Sequence, residues 1–255
     1  MKEEHRARIQ SILETDRGWA AYALADLDPA QDASSQWLVA PQAVVLRYTA
    51  LAPPVLFAHG SPEQVAGLLP RVPGDEYVYT LLGAHRAPLL HRMRIQHEAK
   101  MWRMVLRRES FPGRPASQAI PLRADDLAEV EGLFADHSDR PDTFAVSQLE
   151  DGFFFGLRQS GRLVSLAGTH VVSKRFGVAA VGNVFTHPEE RGQGYGTAVT
   201  GAVVEALLAA GLRTIALNVN QKNERAIRSY RSLGFWPFVG YYEGTCRLEP
   251  APASM

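Results

Sequence analysis

One hexapeptide constrains the fold of this chain more than any other stretch: Arg-Gly-Gln-Gly-Tyr-Gly at residues 191–196. It follows an apolar run that ends at Val184-Phe185-Thr186 and precedes a run with helix-like spacing over residues 197–210. Glycines let the backbone approach a ligand where side chains would block it. A helix that begins there aims its unpaired N–H groups and its positive dipole end at one point. The hexapeptide therefore predicts a strand, an anion-binding turn and a helix that together hold a phosphate-bearing ligand.

Two familiar phosphate-binding patterns do not fit this turn. The dinucleotide fingerprint needs a third glycine at the sixth position counted from Gly192, and that position is Thr197. The acidic residue expected about 20 residues later is also missing, since the next strand carries Asn218 and Asn220. The nucleoside-triphosphate loop needs a Gly-Lys-Ser/Thr tripeptide, which does not occur in the chain.

Composition gives no sign of nucleic acid or membrane as a partner. The chain has 255 residues, 46% of them hydrophobic, and a formal net charge of zero, which is typical of a globular protein of one or two domains. The single cysteine, Cys246, argues against a disulfide framework and a cysteine-rich metal site, so we expect no metal. The charged N-terminus is not followed by a signal-type apolar segment, and no apolar run approaches the roughly 18 residues of a membrane helix. We expect a cytoplasmic protein, either monomeric or homodimeric.

Residues 110–117 are rich in proline and glycine and predict a domain boundary. The predicted domains are a smaller N-terminal α/β domain over 1–112 and a C-terminal domain over 117–255. In the first, the patterns predict a helix over 2–27, strands over 37–39, 44–48, 54–58 and 77–79, a helix that begins after Ser61, and an apolar run over 101–106. In the second, they predict strands over 120–122, 153–157, 163–172, 178–185, 214–219, 236–242 and 246–248, and helices that begin near 126, 197 and 224. Strands and helices mix without strict alternation, which favours a mixed α/β sheet with helices on both faces.

A second block of residues makes the interpretation of the turn more specific. The two blocks are Arg191-x-x-Gly194-x-Gly196, then Leu217-x-Val219 with Asn223-x-x-Ala226-x-x-x-Tyr230-x-x-Leu233-Gly234-Phe235. Together they resemble the acetyl-CoA-binding motif of the GNAT family of N-acetyltransferases. The resemblance implies an α+β fold with a mixed, mostly antiparallel sheet flanked by helices. It also implies transfer of an acetyl group from acetyl-CoA to a primary amine, on a small molecule or a peptide, by direct attack in a ternary complex. A non-catalytic acyl-CoA-binding sensor or interaction module on the same fold is the alternative.

The resemblance also implies where acetyl-CoA binds. The pantetheine arm would pair with the backbone at the end of the strand before the turn, and the pyrophosphate would lie on the N–H groups of the turn. Arg191 would brace the turn or contact a phosphate. The full set of implied acetyl-CoA-binding residues is Asn183, Val184, Phe185, Thr186, Arg191, Gly192, Gln193, Gly194, Tyr195, Gly196, Thr197, Asn218, Asn223, Ala226 and Tyr230.

The helix predicted after residue 223 has two different faces. Asn223, Ala226, Ile227 and Tyr230 share one face at about 100° per residue. The opposite arc is basic, with Lys222, Arg225, Arg228 and Arg231. That arc is either a solvated surface or, at Lys222 and Arg225, a contact for the 3′-phosphate of CoA, as the resemblance implies.

The resemblance implies catalytic roles as well. Tyr230 would protonate the CoA thiolate, since a phenol with a pKa of about 10 is protonated at neutral pH. The backbone N–H of Val184 or Phe185 would stabilise the oxyanion. The base is left open between His170, Glu150 and Asn218 acting through water. His170 lies in a predicted strand where the alternation of polar and apolar residues is interrupted.

The first half of the chain is only faintly similar to the family. Val55 to Gly60, followed by Ser61-Pro62-Glu63 and a helix, resembles a degenerate strand–turn–helix unit that lacks both motif blocks. It would therefore not bind CoA in the same way. It is either a decayed second copy, as in tandem GNAT proteins, or an unrelated packing domain. The layout of the whole chain resembles the FR47-like branch of the family.

Overall fold

The computed structural model shows two compact units. The first comprises residues 1–103 together with 238–255, and the second comprises residues 104–237. The structure describes residues 1–248 except 92, 114–118, 136, 138–140, 142–143, 145 and 151–152. The sequence predicts 117–255 as one domain, whereas this division assigns the closing segment to the first unit. Residues 114–117, half of the predicted boundary segment 110–117, lie outside the described residues.

The first unit is built on a mixed sheet. Its elements are α1 (Glu3–Leu13), α2 (Ala21–Asp26), β1 (Ser35–Ala40), β2 (Ala43–Tyr48), β3 (Val55–Gly60), α3 (Pro62–Leu68), β4 (Glu76–Leu81), α4 (Gly83–Leu90) and most of β5 (Met93–Leu106). Strands β1, β2 and β3 are antiparallel, and β3 pairs in parallel with β4 after the α3 crossover. Ser61 caps α3 by accepting a hydrogen bond from the Gln64 N–H, with Pro62 in the first turn, as predicted.

The second unit confirms the predicted mixed sheet. Its elements are β6 (Ile120–Pro121), α5 (Leu127–Phe134), α6 (Ser147–Glu150), β7 (Phe155–Gln159), β8 (Arg162–Ser173), β9 (Val178–Thr186), α7 (Tyr195–Ala209), β10 (Thr214–Asn220), α8 (Glu224–Ser232) and the start of β11 (Phe235–Leu248). The strand order is β10-β9-β8-β7-β6, and every pair is antiparallel except β9 with β10. Helices α5 and α7 pack on this sheet through apolar side chains such as Val130 and Val203. The helix α7 ends before Gly211, whose φ of +83° stops it as predicted.

The two units share one order of elements. Apart from the two-residue strand β6, which precedes the helices of the second unit, each runs through two helices, three antiparallel strands, a helix, a strand paired in parallel with the third, a helix and a final strand. In the first unit the parallel pair is β3 and β4 around α3, and in the second it is β9 and β10 around α7.

Two predictions about individual elements are wrong, and one helix is missed. The predicted helix over 2–27 is broken after α1, because the chain turns at Gly18, where a Cβ would lie 2.7 Å from the Phe238 ring. Helix α4 was not predicted, because Pro88 lies inside it and its residues lack a clear apolar period. The two predicted closing strands are one strand, β11, since Gly244 lets it pass within van der Waals distance of the His97 backbone.

A buried arginine lies in the core of the first unit. Arg103 is 1% exposed, and its guanidinium carbon lies 4.3 Å from the centroid of the Tyr22 ring. The rings of Trp19 and Tyr241 are 5.2 and 5.6 Å away. Burial raises the pKa of the nearby Asp26 carboxyl to about 7, and the positive charge of Arg103 only partly offsets that rise.

Candidate functional site

Strands β9 and β10 separate part-way along their length. They pair in parallel from Val178 with Thr214 to Val181 with Leu217. Their register ends there, although β9 continues to Thr186 and β10 to Asn220. The edge of β9 that faces β10 is therefore open from residue 182 onward, which is the geometry that lets an extended ligand add as a further strand.

The other edge of β9 carries a β-bulge at the same level. Gly182 is opposite Gly168 and Phe185 is opposite Leu166, so Asn183 and Val184 together face one residue of β8. Asn183 has a φ of +51°, the left-handed conformation that asparagine tolerates better than most residues. The bulge turns the end of β9 away from β10.

A second bulge lies in β8. Thr169 is opposite Val181 and Val171 is opposite Ala180, so His170 is an extra residue without a partner in the register. The interrupted alternation at Thr169 and His170 in the sequence corresponds to this bulge. His170 thus leaves the regular pleat, and its ring lies over Gly182, where a Cβ would come within 2.2 Å of the imidazole.

A hydrogen-bond network joins the two bulges. The Asn183 backbone N–H donates to Nε2 of His170 at 3.3 Å. The Asn183 side-chain Nδ2 donates to Oε1 of Gln148 at 3.1 Å, and Nε2 of Gln148 donates to the His170 carbonyl at 3.4 Å. Sequence reasoning missed Gln148, because it lies in the four-residue helix α6, which is too short to show a period.

The glycine turn leads directly into α7. Nε of Arg191 donates to the Thr186 carbonyl at 3.0 Å, so this arginine braces the turn. Gly192 and Gly194 have φ values of +95° and +81°, which only glycine adopts without strain. Gly194 is the N-cap of α7 and provides no side-chain cap, so the first N–H groups of the helix have no intrahelical acceptor. Within the described part of the chain, nothing lies within 4 Å of the position that a Cβ of Gly194 would occupy, which leaves room for a ligand.

Positive charge lies beside this turn. A Cβ at Gly192 would be 4.0 Å from Nη2 of Arg225, in the first turn of α8. Lys222 and Arg228 are exposed, and Arg228 forms an ion pair with Glu224 at 3.4 Å. A guanidinium next to unpaired N–H groups and the positive end of a helix suits a pyrophosphate or a phosphate monoester. The residues present therefore fit the phosphates of CoA.

Helix α8 places the remaining motif residues. Oδ1 of Asn223 accepts from the Ala226 N–H at 3.1 Å and caps the helix, so only its amide nitrogen is left for a ligand. Burial raises the pKa of the Tyr230 phenol to about 12, and its ring meets Phe235 edge-on at 6.2 Å. The phenol is therefore protonated throughout the neutral range.

The three candidate bases lie in different settings. Nε2 of His170 accepts a backbone hydrogen bond in the network described above. Glu150 is exposed at the end of α6. Oδ1 of Asn218 in β10 is buried and has no hydrogen-bond partner among the described residues. The assignment of a base stays a prediction.

Comparison with known proteins identifies the second unit. Residues 122–235 match the model of the acetyltransferase (GNAT) family, which covers both bulges, the glycine turn and α8. This part of the chain is a GNAT domain. The matched residues all fall within the second unit. Membership in the FR47-like branch stays a prediction.

Two groups of curated relatives resemble part of this chain. One is a [ribosomal protein bS18]-alanine N-acetyltransferase of Escherichia coli, 36% identical over 93 residues, which are 36% of this chain and 61% of the relative. Another is a mycothiol acetyltransferase of Thermobispora bispora, 35% identical over 136 residues, which are 49% of this chain and 44% of the relative. The chain thus spans about half the length of the curated relatives it matches.

Solved structures extend the likeness of fold to nearly the whole chain. A GNAT-family protein from Novosphingobium aromaticivorans has a TM-score of 0.64 at 23% identity and covers 92% of this chain and 100% of its own. A GCN5-related N-acetyltransferase from Kribbella flavida has a TM-score of 0.61 at 17% identity and covers 91% of this chain and 96% of its own. At these identities the likeness shows the fold alone.

The described residues contain neither a helix that could span a membrane nor a cluster that could bind a metal ion. None of their helices has both the length and the apolar character needed to cross a membrane. Within the same residues, no three side chains of His, Cys, Asp or Glu are grouped so that they could hold a metal ion.

Proposed function

We propose that this protein is an N-acetyltransferase that transfers the acetyl group of acetyl-CoA to a primary amine by direct attack in a ternary complex. One observation carries the proposal: β9 separates from β10 after Val181, and the same strand leads to the uncapped N-terminus of α7 at Gly194. An open strand edge that ends at an anion-binding turn matches a ligand with an extended amide-containing arm and a pyrophosphate.

Each part of the acyl donor has a place in this proposal. The pantetheine arm pairs with the open edge of β9 from Asn183 to Thr186. The pyrophosphate accepts hydrogen bonds from the N–H groups of residues 193–197, and Arg225 adds charge from α8. Arg191 acts indirectly, because its guanidinium holds the Thr186 carbonyl and so fixes the turn.

The chemistry needs few groups from the protein. The neutral amine attacks the thioester carbonyl, an N–C bond forms, the C–S bond breaks, and one proton leaves the nitrogen while the thiolate gains one. The backbone N–H of Val184 or Phe185 stabilises the oxyanion. Tyr230 donates to the sulfur. Its pKa of about 12 exceeds that of a thiol, about 8.5, so Tyr230 stabilises the leaving thiolate by a hydrogen bond, and the thiolate takes its proton from water.

We further propose that the first unit is a degenerate copy of the GNAT fold. The shared order of elements supports this. The turn between β3 and α3 of the first unit also differs from the glycine turn in ways that disfavour CoA binding there. Pro62 has no N–H, and the Gln64 N–H is already capped by Ser61. A Cβ at Gly60 would lie 2.0 Å from the Gln42 backbone oxygen, so the backbone at Gln42 occupies the space next to this turn. The acceptor is a primary amine on a peptide or a small molecule, and the names of the two relatives point to both classes.

Calorimetry with acetyl-CoA and a thiol-release assay test the proposal together. The amine panel would contain an alanine-starting tetrapeptide amide, a lysine-containing peptide blocked at its N-terminus, glucosamine and spermidine. We expect saturable binding of acetyl-CoA and amine-dependent thiol release with at least one member, with the acetylated product seen by mass spectrometry. Binding without turnover across the panel would favour the sensor module instead, and absence of binding would overturn the proposal.

A further inference from the structure

The side-chain oxygen of Asn183 has no hydrogen-bond partner among the described residues, although Asn183 is only 3% exposed. Buried polar atoms are nearly always paired, because an unpaired acceptor loses its hydrogen bond to water and gains nothing in return. Asn183 lies two residues beyond the last pair of β9 with β10, where the two strands separate. The residue that carries the unpaired oxygen therefore lies in the part of β9 whose edge is open.

The orientation of the Asn183 carboxamide follows from its neighbours. The His170 carbonyl can only accept, so the end of the Gln148 side chain that meets it must be the NH2 group. The other end of Gln148 is then an oxygen, and the Asn183 atom that meets it must be a nitrogen. By elimination, the oxygen of Asn183 faces away from the network.

A second acceptor lies across the gap. Asn218 is the first residue of β10 beyond the last paired residue, Leu217, and its Oδ1 is also buried and without a partner among the described residues. Each strand therefore contributes one unpaired amide oxygen at the point of separation. An unpaired amide oxygen favours a ligand that carries an N–H donor.

We propose that Oδ1 of Asn183 is a substrate-binding group that accepts a hydrogen bond from an N–H of the bound substrate. The donor is either the attacking amine or an amide of the pantetheine arm. His170 and Gln148 are positioning residues, since the first holds the Asn183 backbone N–H and the second holds its side-chain nitrogen. The assignment rests on the proposed function, because it needs a substrate in the gap between β9 and β10.

Two substitutions distinguish the binding role of the Asn183 oxygen from the ability of asparagine to adopt the left-handed backbone conformation of the bulge. Gly adopts a φ of +51° without strain, so Asn183→Gly keeps the bulge and removes the oxygen. Asp also tolerates this conformation, and Asn183→Asp keeps an oxygen at the position of Oδ1, although its second oxygen cannot donate to Oε1 of Gln148. If Asn183 only supports the backbone conformation, Asn183→Gly would bind both substrates like wild type.

The test compares acetyl-CoA affinity by calorimetry with steady-state kinetics for the amine that the wild-type protein uses best in the panel above. We expect Asn183→Gly to weaken the binding of one substrate about tenfold, as for one lost hydrogen bond, and Asn183→Asp to recover part of that loss. A change in acetyl-CoA affinity identifies the pantetheine amide as the donor, and a change in the amine KM alone identifies the attacking amine.

Gln148→Met provides a second variant in case the Asn183 variants do not fold. It removes the hydrogen bonds of Gln148 to His170 and Asn183 at similar side-chain length, and we expect weaker binding of the same substrate, with a smaller effect. Values within twofold of wild type for Asn183→Gly, or for Gln148→Met where the former does not fold, would overturn the assignment. Failure of the wild-type protein to bind acetyl-CoA would instead overturn the proposed function, so the two failures are distinguishable.

Discussion

His170 and Asn183 are extra residues in two facing β-bulges, and the Asn183 backbone N–H donates to Nε2 of His170 across 3.3 Å. The imidazole therefore supplies an acceptor and carries its proton on Nδ1 in this arrangement. Through this hydrogen bond, the His170 side chain in β8 holds the end of β9 in place. The same nitrogen would have to be released before it took a proton from an amine.

Substitution of His170 distinguishes an acceptor from a base. His170→Gln retains a side-chain oxygen that can accept from Asn183, whereas His170→Leu does not. We expect kcat of the glutamine variant to stay within about threefold of wild type, and kcat/KM of the leucine variant to fall about tenfold for one lost hydrogen bond. For both variants, kcat and kcat/KM are measured as a function of pH from 6 to 9. A loss of about 10²-fold or more in both variants, with loss of the acidic limb, would make His170 the general base.

Gly182 provides the space in which the His170 ring lies. A methyl group at this position would approach the imidazole to 2.2 Å, and both partners are held in the sheet. We expect Gly182→Ala to lower the free energy of unfolding by about 1–3 kcal/mol, measured by urea denaturation. Gly132→Ala in α5 is the matched control, since no atom lies within 4 Å of its Cβ position, and it should raise stability by up to about 1 kcal/mol. Equal stability of the two variants would contradict this packing.

The sequence predicts those parts of the structure whose physics is local. The glycine turn needs positive φ at Gly192 and Gly194, so it is visible as residue types at fixed spacing. The spacing of Asn223, Ala226 and Tyr230 likewise predicts the helix α8, although the role of Asn223 as its cap is shown only by the structure. The length of α7 also follows from its apolar residues and from Gly211. These features correctly predict the order of elements from β9 to α8.

Features that depend on distant residues were not visible. Gln148 joins His170 and Asn183 only because the sheet places the three together, and nothing near Gln148 indicates its partners. The break after α1 depends on Gly18 meeting Phe238, a residue 220 positions later in the chain. Contacts of this kind are set by tertiary packing, which overrides the helical period of the N-terminal residues.

Gly194 and Gly211 provide a matched pair for testing the anion site. They flank α7 with φ values of +81° and +83°, and no atom lies within 4 Å of either Cβ position. Substitution by glutamate imposes the same backbone strain at both, but only at residue 194 does it put a side chain and a negative charge at the helix N-terminus. We expect Gly194→Glu to abolish acetyl-CoA binding in calorimetry, whereas Gly211→Glu binds like wild type. Micromolar binding by Gly194→Glu would refute the turn as the pyrophosphate site.

Tyr230→Phe tests the hydrogen bond to the leaving thiolate. The hydroxyl is needed as charge develops on sulfur, so its removal should lower kcat about tenfold and leave the KM for acetyl-CoA within twofold. Because burial raises the pKa of the phenol to about 12, the ratio of wild-type to variant kcat should stay constant from pH 7 to 10. Thiol release over that range gives both quantities. Unchanged kcat at every pH would remove Tyr230 from catalysis.

Asp26 makes the first unit less stable at neutral pH than at mildly acidic pH. Its pKa rises from 3.8 to about 7 on folding, so the folded state binds more protons than the unfolded state between these values. The stabilising contribution is complete below about pH 4 and is lost as the pH rises through about 7, with a slope of at most about 1.4 kcal/mol per pH unit.

Urea unfolding of wild type and Asp26→Asn from pH 4 to 8 measures this contribution. The difference between the two curves isolates Asp26, because other groups, such as Asp32 with its lowered pKa, contribute equally to both. We expect the stability of the variant relative to wild type to increase as the pH rises, because asparagine needs no proton to stay neutral beside the Tyr22 and Arg103 cluster. Asp75→Asn, at an exposed acid of the same unit, serves as the control. A difference that is constant with pH would show that Asp26 is ionised in the folded protein throughout this range.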